Sequence, residues 1–243
     1  MKLIINGAGG RMGHIVSEMA ESQGEEIVAR VDVTFTAPEL PRLDDFTGEA
    51  DCVIDFSNHK ATHELLAYCV KRNLPVLIAS TGQTDEELNE IQEAAKKIPV
   101  FKSPNMSIGV ALVAELAERV TKIFGDCDIE LIEAHHNQKL DVPSGTALML
   151  AEAIRDAREG TSFNIGRHEN GKRSPSEIGI HSLRYGSEVG THEVIFSNGL
   201  ETITIKHDAK NRALFANGAL QAVRWLVKQG AGFYNMKDFI AGN

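Results

Sequence analysis

The chain has 243 residues with 25 basic and 34 acidic side chains, a formal net charge of −9. With 42% hydrophobic and 24% charged residues its composition is that of an ordinary globular protein, which excludes the disordered and fibrous classes. The acidic balance argues against a nucleic-acid binder, and no apolar run of about 18 residues predicts a membrane helix. Three widely spaced cysteines, Cys52, Cys69 and Cys127, predict buried free thiols in a reducing, cytoplasmic compartment. Because Asn6 and Gly7 interrupt the first apolar run, we expect no signal peptide.

The first hundred residues alternate short apolar runs with helical periodicity. Strands are predicted at residues 2–6, 27–32, 51–56, 75–79 and 99–102. Thr84 and Glu87 form a capping box at the start of one intervening helix. Strand–helix alternation at this spacing predicts parallel βαβ units, and hence an α/β fold with a Rossmann-type doubly wound parallel sheet.

The pattern changes in the second half of the chain. Helices are predicted near residues 108–124, 144–158 and 211–229, and extended segments at 128–136, 177–185, 189–197 and 200–207. Asn198-Gly199 predicts a two-residue hairpin, because both positions of such a turn favour positive φ. Strands joined in this way predict a second domain of the α+β class with a mixed or antiparallel sheet. Residues 160–176 are expected to form a mobile loop.

A glycine-rich turn follows the first strand and opens a helix. Residues 7–13 read Gly-Ala-Gly-Gly-Arg-Met-Gly, in which Gly7, Gly10 and Gly13 fit a G-x-x-G-x-x-G variant of the dinucleotide fingerprint. Met12 occupies the slot of the usual third glycine, so the motif alone is weak and a plain tight turn is the alternative. Glycine here lets the backbone approach a pyrophosphate at the helix N-terminus.

Asp32 strengthens the dinucleotide hypothesis. It ends the second strand 19 residues after Gly13, where the fingerprint places an acid for the ribose hydroxyls. A turn-capping aspartate is the alternative. Arg11 is either a phosphate partner or a solvated charge. Ser80-Thr81-Gly82 and residues 104–107 follow two later strands, where ligands bind in open α/β sheets, although polar loops that cap the next helices explain them equally well.

The densest chemistry lies in residues 133–147, which read Glu-Ala-His-His-Asn-Gln-Lys-Leu-Asp-Val-Pro-Ser-Gly-Thr-Ala. His135, His136 and Lys139 supply proton donors and positive charge at a strand end. The Pro-Ser-Gly-Thr turn opens a helix whose amides, with the hydroxyls of Ser144 and Thr146, suit a carboxylate. Beside a hydride donor, this combination predicts reduction of a small anionic C=N or C=C compound.

Other interpretations of this cluster are weaker. A metal site lacks a third ligand at the usual spacing, because adjacent strand histidines point to opposite faces. Ser144 lies outside a G-x-S-x-G elbow, which argues against a serine hydrolase. A polar loop with a capping serine is the remaining alternative.

Residues 133–147 closely resemble the signature of the 4-hydroxy-tetrahydrodipicolinate reductase family, formerly called dihydrodipicolinate reductase. The resemblance extends over nearly the whole chain through four shorter motifs and the glycine turn: N-G-A-G-G-R-M-G at 6–13, D-F-S at 55–57, S-T-G at 80–82, P-N-M-S at 104–107 and R-A-L-F-A-N-G-A at 212–219. The family implies NAD(P)H-dependent reduction of a cyclic hydroxy-imine, with loss of water, to tetrahydrodipicolinate in the diaminopimelate route to lysine. It also implies a homotetramer, a small dicarboxylate substrate and no nucleic-acid or membrane partner.

The same resemblance implies a division of the chain and a set of site residues. A nucleotide domain would comprise residues 1–106, completed by 213–243, and a substrate and oligomerisation domain residues 107–212. His135 and Lys139 would be catalytic, with Lys139 the expected proton donor, and Arg212 would lie in a hinge. Substrate contacts would come from His136, Ser144, Gly145 and Thr146. Cofactor contacts would come from Gly7, Ala8, Gly9, Gly10, Arg11, Met12, Asp32, Ala79, Ser80, Thr81, Pro104, Asn105, Met106 and Ser107.

The cofactor preference depends on the residues after Asp32. Relatives that accept NADPH often carry arginine there, whereas Val33 and Thr34 follow in this chain. Because a carboxylate repels a 2′-phosphate, we expect NADH to serve at least as well as NADPH, unless Arg42 compensates. Two other functions are alternatives: a related two-domain dehydrogenase, which has no need of the 133–147 signature, and a redox-sensing regulator, which would usually add a basic DNA-binding module.

Overall fold

The computed structural model describes residues 1–36 and 40–242. Residues 37–39, between the second and third predicted strands, and residue 243, the end of the predicted completing segment, lie outside the described residues. The strands are β1 (Lys2–Asn6), β2 (Glu26–Val31), β3 (Cys52–Asp55), β4 (Val76–Ile78), β5 (Pro99–Lys102), β6 (Asp128–His135), β7 (Ser162–Ile165), β8 (Glu177–Arg184), β9 (Gly190–Ser197), β10 (Thr202–Ala209) and β11 (Gly232–Tyr234). The helices are α1 (Arg11–Ser22), α2 (Thr62–Arg72), α3 (Asp85–Ala95), α4 (Ile108–Phe124), α5 (Gly145–Ala157), α6 (Ala213–Leu226) and α7 (Met236–Ala241).

The chain forms two compact units. Unit 1 consists of Met1–Ser107 and Ala213–Asn243, and its six strands form a parallel sheet in the order β11-β5-β4-β3-β1-β2. Ile4, Val53 and Val76 are fully buried in its central strands, as expected for a parallel sheet covered by helices on both faces. The predicted doubly wound parallel sheet is confirmed.

The C-terminal segment of unit 1 completes this sheet through contacts that the sequence pattern did not indicate. β11 is only three residues long, and it pairs in parallel with β5 at the sheet edge. Trp225 on α6 makes edge-to-face ring contacts with Phe101, Tyr234 and Phe239. These aromatic contacts join α6, β5, β11 and α7, so distant segments of the chain stabilise the two short elements β11 and α7.

Two glycines of the turn after β1 are required by close packing. Gly7 has φ +81°, a left-handed conformation that side chains rarely adopt, and a Cβ there would lie 2.6 Å from the Ser57 backbone nitrogen. A Cβ on Gly13 would lie 2.1 Å from the Gly7 carbonyl oxygen. The missing side chain of Gly13 therefore lets α1 begin directly against the turn.

Unit 2 is Ile108–Arg212, with a five-stranded mixed sheet in the order β10-β9-β6-β8-β7. The strand pairs β6–β8 and β7–β8 are parallel, whereas β9 is antiparallel to both β6 and β10. Helices α4 and α5 pack over the sheet around Leu131, Leu150, Ile154, Val194 and Phe196, all completely buried. The predicted α+β domain with a mixed sheet is confirmed.

Two local predictions for unit 2 were wrong. Ser197 pairs with Thr202, so the β9–β10 loop has four residues rather than the two expected from Asn198-Gly199. The Asn198 side chain accepts hydrogen bonds from the backbone of Leu200 and Glu201, each at 3.0 Å, and so stabilises the longer turn. The segment 160–176 is not loop throughout, because residues 162–165 form β7 beside β8.

All three cysteines are buried free thiols, as predicted. Burial raises the pKa of Cys52, Cys69 and Cys127, which keeps each thiol protonated. Among the described residues, no helix is both long and apolar enough to span a membrane.

The Gly13→Ala substitution tests the close packing of α1. The new methyl group would collide with backbone atoms, so we expect the free energy of unfolding to fall by about 2 kcal/mol, even though alanine favours helix. Urea unfolding followed by fluorescence of Trp225, which lies in the same unit, measures this change. Glu18→Ala on the exposed face of α1 is the control, and equal stability of the two variants would contradict the packing argument.

Candidate active site

The predicted histidine–lysine cluster begins at the carboxyl end of β6. His135 is the last residue of this strand, and it is buried with 8% of its surface exposed. Its Nδ1 lies 2.6 Å from Oε2 of Glu133, two residues earlier. Residues two apart share one face of a strand, so the carboxylate and the imidazole are aligned by the backbone itself.

Glu133 is completely buried, and a buried carboxylate needs compensating charge and hydrogen bonds. Arg184 at the end of β8 provides a two-pronged contact, with Nη1 2.9 Å from Oε2 and Nη2 2.8 Å from Oε1. Burial raises the pKa of Glu133, but the hydrogen bonds from His135 and Arg184 outweigh this effect and hold its pKa far below the usual range. The carboxylate is therefore ionised at neutral pH.

The start of α5 lies beside the same carboxylate. The Ser144 backbone nitrogen donates to Glu133 Oε1 at 3.2 Å, and Ser144 caps the helix by accepting from the Ala147 backbone nitrogen, also at 3.2 Å. Gly145 is exposed and Thr146 is half-buried. Ser144 is 1% exposed and engaged inside unit 2, so the part of the predicted substrate site that a ligand could reach is Gly145 and Thr146, at a helix N-terminus that suits an anion.

His192 on β9 is a further member of this cluster. Its Nε2 lies 3.1 Å from Ser144 Oγ, and its ring meets that of His135 edge to face, with centroids 5.2 Å apart. Burial, followed by the electrostatic influence of the neighbouring His135, lowers the pKa of His192 to about 3. Within the described part of the chain, its buried Nδ1 has no hydrogen-bond partner. His192 is therefore a neutral imidazole at physiological pH.

His136 and Lys139 lie in the turn that follows β6. The His136 backbone nitrogen donates to the Glu188 carbonyl at 2.9 Å, and the Lys139 nitrogen donates to the His136 carbonyl at 3.1 Å. The Lys139 ammonium lies 2.8 Å from Oδ1 of Asp141, and this contact lowers the pKa of Asp141. Lys139 thus follows His135 by four residues, and its side chain remains partly exposed. Among residues 1–36 and 40–242, no three His, Cys, Asp or Glu side chains are arranged to hold a metal ion.

In unit 1, Asp32 follows β2 beside the glycine turn. It accepts hydrogen bonds from the Gly9 backbone nitrogen at 3.0 Å, and from the nitrogen and hydroxyl of Thr34 at 2.9 and 2.7 Å. Partial burial raises its pKa, but the hydrogen bonds from Thr34 and Gly9 outweigh this effect and lower it. Asp32 is therefore a fixed negative charge beside the turn, as a ribose-binding acid requires.

The glycine turn fits a dinucleotide pyrophosphate. α1 begins after Gly10, and no side chain of the described residues caps its first amides. A Cβ on Gly9 would lie 3.0 Å from Asp32 Cγ, so the bare turn is what allows the acid to lie against it. Of the neighbouring predicted residues, Ala8 is buried, Met12 half-buried and Arg11 exposed at the helix start.

The buried carboxylate of Asp55 connects the carboxyl ends of the central strands through hydrogen bonds. Asp55, at the end of β3 and 1% exposed, accepts from Asn6 Nδ2 and from Ser80 Oγ, each at 2.8 Å. Burial raises its pKa, although the hydrogen bonds oppose the shift. The Ser80 hydroxyl is thus engaged inside the unit, whereas Thr81 is exposed and Ala79 half-buried.

The predicted residues after β5 differ in accessibility. Pro104 is exposed and Asn105 half-buried, but Met106 and Ser107 are 3% and 2% exposed. Asn105 Oδ1 accepts from the Ser107 nitrogen at 2.8 Å. The last two residues therefore shape this loop from within, and Pro104 and Asn105 are the members that a ligand could reach.

Sequence reasoning did not assign Glu133, Arg184, His192 or Asp55 to the site. Glu133 was visible as an acid two residues before His135, a spacing that places both side chains on one strand face. Arg184 and His192 carried no local signal, because pairing of β6 with β8 and β9 brings them to the cluster.

Comparison with known protein families identifies the family to which the chain belongs. The family profile described as "Dihydrodipicolinate reductase, N-terminus" matches residues 1–106, and "Dihydrodipicolinate reductase, C-terminus" matches residues 109–240. The chain belongs to the dihydrodipicolinate reductase family. The resemblance drawn from residues 133–147 is thereby confirmed.

Relatives in this family are similar over their full lengths. A 4-hydroxy-tetrahydrodipicolinate reductase from Caldanaerobacter subterraneus subsp. tengcongensis is 44% identical over 99% of this chain and 98% of its own. A reductase of the same name from Clostridium tetani is 42% identical over 97% and 95%. The similarity therefore includes both units.

Solved structures agree with this assignment. A dipicolinate-bound dihydrodipicolinate reductase from Paenisporosarcina sp. TG-14 matches with a TM-score of 0.84 and 26% identity, over 99% of both chains. A probable dehydrogenase from Thermotoga maritima, at 12% identity over 98% of this chain and 92% of its own, has a TM-score of 0.63, which shows a shared fold alone.

The neutral His192 makes unit 2 sensitive to acid. The unfolded state binds a proton on this residue below about pH 6.5, whereas the folded state does so only near pH 3, so stability falls with pH between these values. As the pH is lowered, the free energy of unfolding should fall more steeply for the wild type than for His192→Gln. We expect the two slopes to differ by up to about 1.4 kcal/mol per pH unit. Urea unfolding monitored by circular dichroism from pH 7 to 4.5 measures the two slopes. The exposed His168→Gln variant should track the wild type, and parallel slopes for His192→Gln would contradict the burial argument.

Proposed function

We propose that the chain is an oxidoreductase that uses NADH or NADPH to reduce 4-hydroxy-tetrahydrodipicolinate, with loss of water, to tetrahydrodipicolinate in lysine biosynthesis. One observation carries this proposal: the Glu133 carboxylate forms hydrogen bonds with His135, the last residue of β6, and with the backbone of Ser144, which caps α5. A proton-transfer residue and an anion-binding helix N-terminus thus lie together in one unit. A small carboxylated imine requires both of these features.

The substrate carboxylate would bind at the start of α5. The backbone amides of Gly145 and Thr146 and the Thr146 hydroxyl provide donors, and the helix dipole favours negative charge there. His136 in the preceding turn would add a further donor. The dipicolinate in the Paenisporosarcina structure is a dicarboxylate bound by a relative of similar fold, which supports this assignment.

Lys139 is proposed as the proton donor. Loss of water from the hydroxyl-bearing ring carbon leaves a C=C bond conjugated with the C=N bond. Addition of a hydride to this conjugated system generates an electron pair that takes up one proton, so one water leaves, two hydrogen atoms are gained and the product keeps its C=N bond. The Lys139 ammonium can deliver this proton, and its contact with the partly exposed Asp141 orients the ammonium. Solvent can then reprotonate the lysine. His135 would support the transfer through its Nε2, since its Nδ1 is engaged by Glu133.

The cofactor would be held by unit 1. When bound, a reduced nicotinamide supplies the hydride. The turn at residues 7–12 and the N-terminus of α1 would bind the pyrophosphate, and Asp32 the adenosine ribose. The nicotinamide half of the cofactor would lie against the loops after β4 and β5, which contain Ala79, Ser80, Thr81 and Pro104 to Ser107. Asp55 fixes the loop after β4 by accepting a hydrogen bond from the Ser80 hydroxyl.

NADH is proposed to serve at least as well as NADPH. Thr34 bonds to Asp32, Val33 is exposed, and within residues 1–36 and 40–242 no lysine or arginine forms an ion pair with Asp32. An ionised acid without a basic partner favours the ribose hydroxyls over a 2′-phosphate.

Assembly into a homotetramer and a hinge role for Arg212 remain proposals from the family resemblance. Arg212 is the last residue of unit 2. The sheet face of unit 2 opposite α4 and α5 presents Ile132, Leu183 and Ile195, none of them fully buried in the single chain, which supports burial of this face between subunits.

Turnover by the purified chain is the first test of the reductase proposal. The condensation product of aspartate semialdehyde and pyruvate, made fresh, should cause rapid NADH oxidation, and Lys139→Ala should lower kcat by about 100-fold or more. Lys122→Ala, on the surface of α4, is the control and should retain activity.

NADH binding, followed by its fluorescence, should be unchanged in Lys139→Ala, because the substitution lies in unit 2. A wild type that binds NADH but shows no turnover with either cofactor would contradict the proposal and favour the sensor or another dehydrogenase.

The Asp32→Ala substitution tests the proposed cofactor preference. Loss of the carboxylate should reduce kcat/KM for NADH and relieve repulsion of the 2′-phosphate, so the NADH-to-NADPH ratio of kcat/KM should fall by about 10-fold, equivalent to about 1.4 kcal/mol. Glu64→Ala, an exposed acid on α2, should leave the ratio unchanged. A strong NADPH preference in the wild type would overturn the assignment.

A further inference from the structure

We propose that Glu133 is a positioning residue for the reduction: its carboxylate, clamped by Arg184, fixes the His135 imidazole and the first turn of α5 relative to each other. This inference rests on the proposed function, because it assigns Glu133 a task in that reduction. Glu133 is fully buried and would act through His135 and α5 rather than by contact with the substrate.

The hydrogen-bond pattern of the carboxylate is the first argument. Oε2 accepts from His135 Nδ1 at 2.6 Å and from Arg184 Nη1 at 2.9 Å. Oε1 accepts from the Ser144 backbone nitrogen at 3.2 Å and from Arg184 Nη2 at 2.8 Å. Each oxygen therefore bonds once to Arg184 and once to a part of the site. Displacement of the carboxylate would move the proton-transfer residue and the carboxylate-binding turn together.

The charge state of the carboxylate is the second argument. An ionised carboxylate only accepts hydrogen bonds, so the His135 ring must carry its proton on Nδ1. Its Nε2 is then the atom that can accept or deliver a proton elsewhere. This is the role of a carboxylate that fixes a histidine tautomer without itself reacting.

The surroundings of the His135 ring are the third argument. A Cβ on Gly190 would lie 2.9 Å from His135 Nε2, so the absence of a side chain there leaves room for this atom. The ring of His192, a residue of β9, packs edge to face against the His135 imidazole. The ring is thus confined by its neighbours, and Glu133 determines which nitrogen faces away from the carboxylate.

Glu133→Gln tests the inference, with Glu130→Gln as the matched control. Glu130 lies on the same strand and also contacts a histidine and an arginine, His181 at 2.8 Å and Arg167 at 3.4 Å, but on the opposite sheet face. Because that face is the proposed subunit contact, Glu130→Gln is compared at the wild-type oligomeric state, checked by size-exclusion chromatography. A glutamine at 133 cannot accept from His135, Ser144 and both nitrogens of Arg184, because one of its terminal atoms is a donor.

Two readouts separate positioning from simple stabilisation. Imidazole ¹⁵N NMR of the wild type, with His135→Gln to assign the signal, should show neutral His135 protonated on Nδ1, and Glu133→Gln should lose this fixed tautomer. In steady-state assays Glu133→Gln should lower kcat by about 10-fold or more while KM for NADH stays unchanged. Glu130→Gln should match the wild type in both measurements.

An Nε2-protonated His135 in the wild type would overturn the inference even if Glu133→Gln does not fold. Wild-type kcat in a folded Glu133→Gln protein would also overturn it, as would equal losses in Glu130→Gln. Absence of turnover in the wild type would instead contradict the proposed function, and the tautomer measurement would still decide the role of Glu133.

Discussion

The ionised, fully buried carboxylate of Glu133 is the interaction on which the organisation of unit 2 at its site depends. It is linked to the end of β6, the end of β8 and the start of α5, three elements that are separate in sequence. An unpaired charge in this position would be strongly unfavourable, so the guanidinium of Arg184 and the two site donors are needed together. The requirement to satisfy one buried charge thus also arranges the catalytic candidates.

Unit 1 uses a similar device under a different constraint. In a parallel sheet the carboxyl ends of neighbouring strands meet at one edge, so Asn6, Asp55 and Ser80 come together although they are far apart in the chain. No guanidinium of the described residues donates to Asp55, and burial raises its pKa, whereas the pKa of Glu133 is lowered. Neutral donors bind Asp55, whereas a guanidinium and an imidazole also bind Glu133 and keep its carboxylate ionised.

The neutral His192 completes this distribution of charge. Burial, together with the electrostatic influence of His135 and of the Lys139 ammonium, disfavours a positive charge on this ring. The His192 ring inside the cluster is therefore neutral, whereas the Lys139 ammonium is partly exposed. This arrangement is compatible with the dicarboxylate site proposed at the start of α5, because an ammonium that a ligand can reach attracts an anion.

The sequence by itself determined the two fold classes, most helix and strand positions and the family. Apolar periodicity, the glycine turn and the block from Glu133 to Ala147 are local patterns, and local patterns report local structure. Tertiary structure decided what those patterns could not contain: β7 and β11, whose sequences Ser-Phe-Asn-Ile and Gly-Phe-Tyr lack the apolar runs of β3 and β4, and the four-residue turn set by the Asn198 side chain. It also decided the neighbours of His135, since Arg184 and His192 reach it only through strand pairing. Side chains that meet across a sheet leave no fixed spacing along the chain, so only the folded structure shows them together.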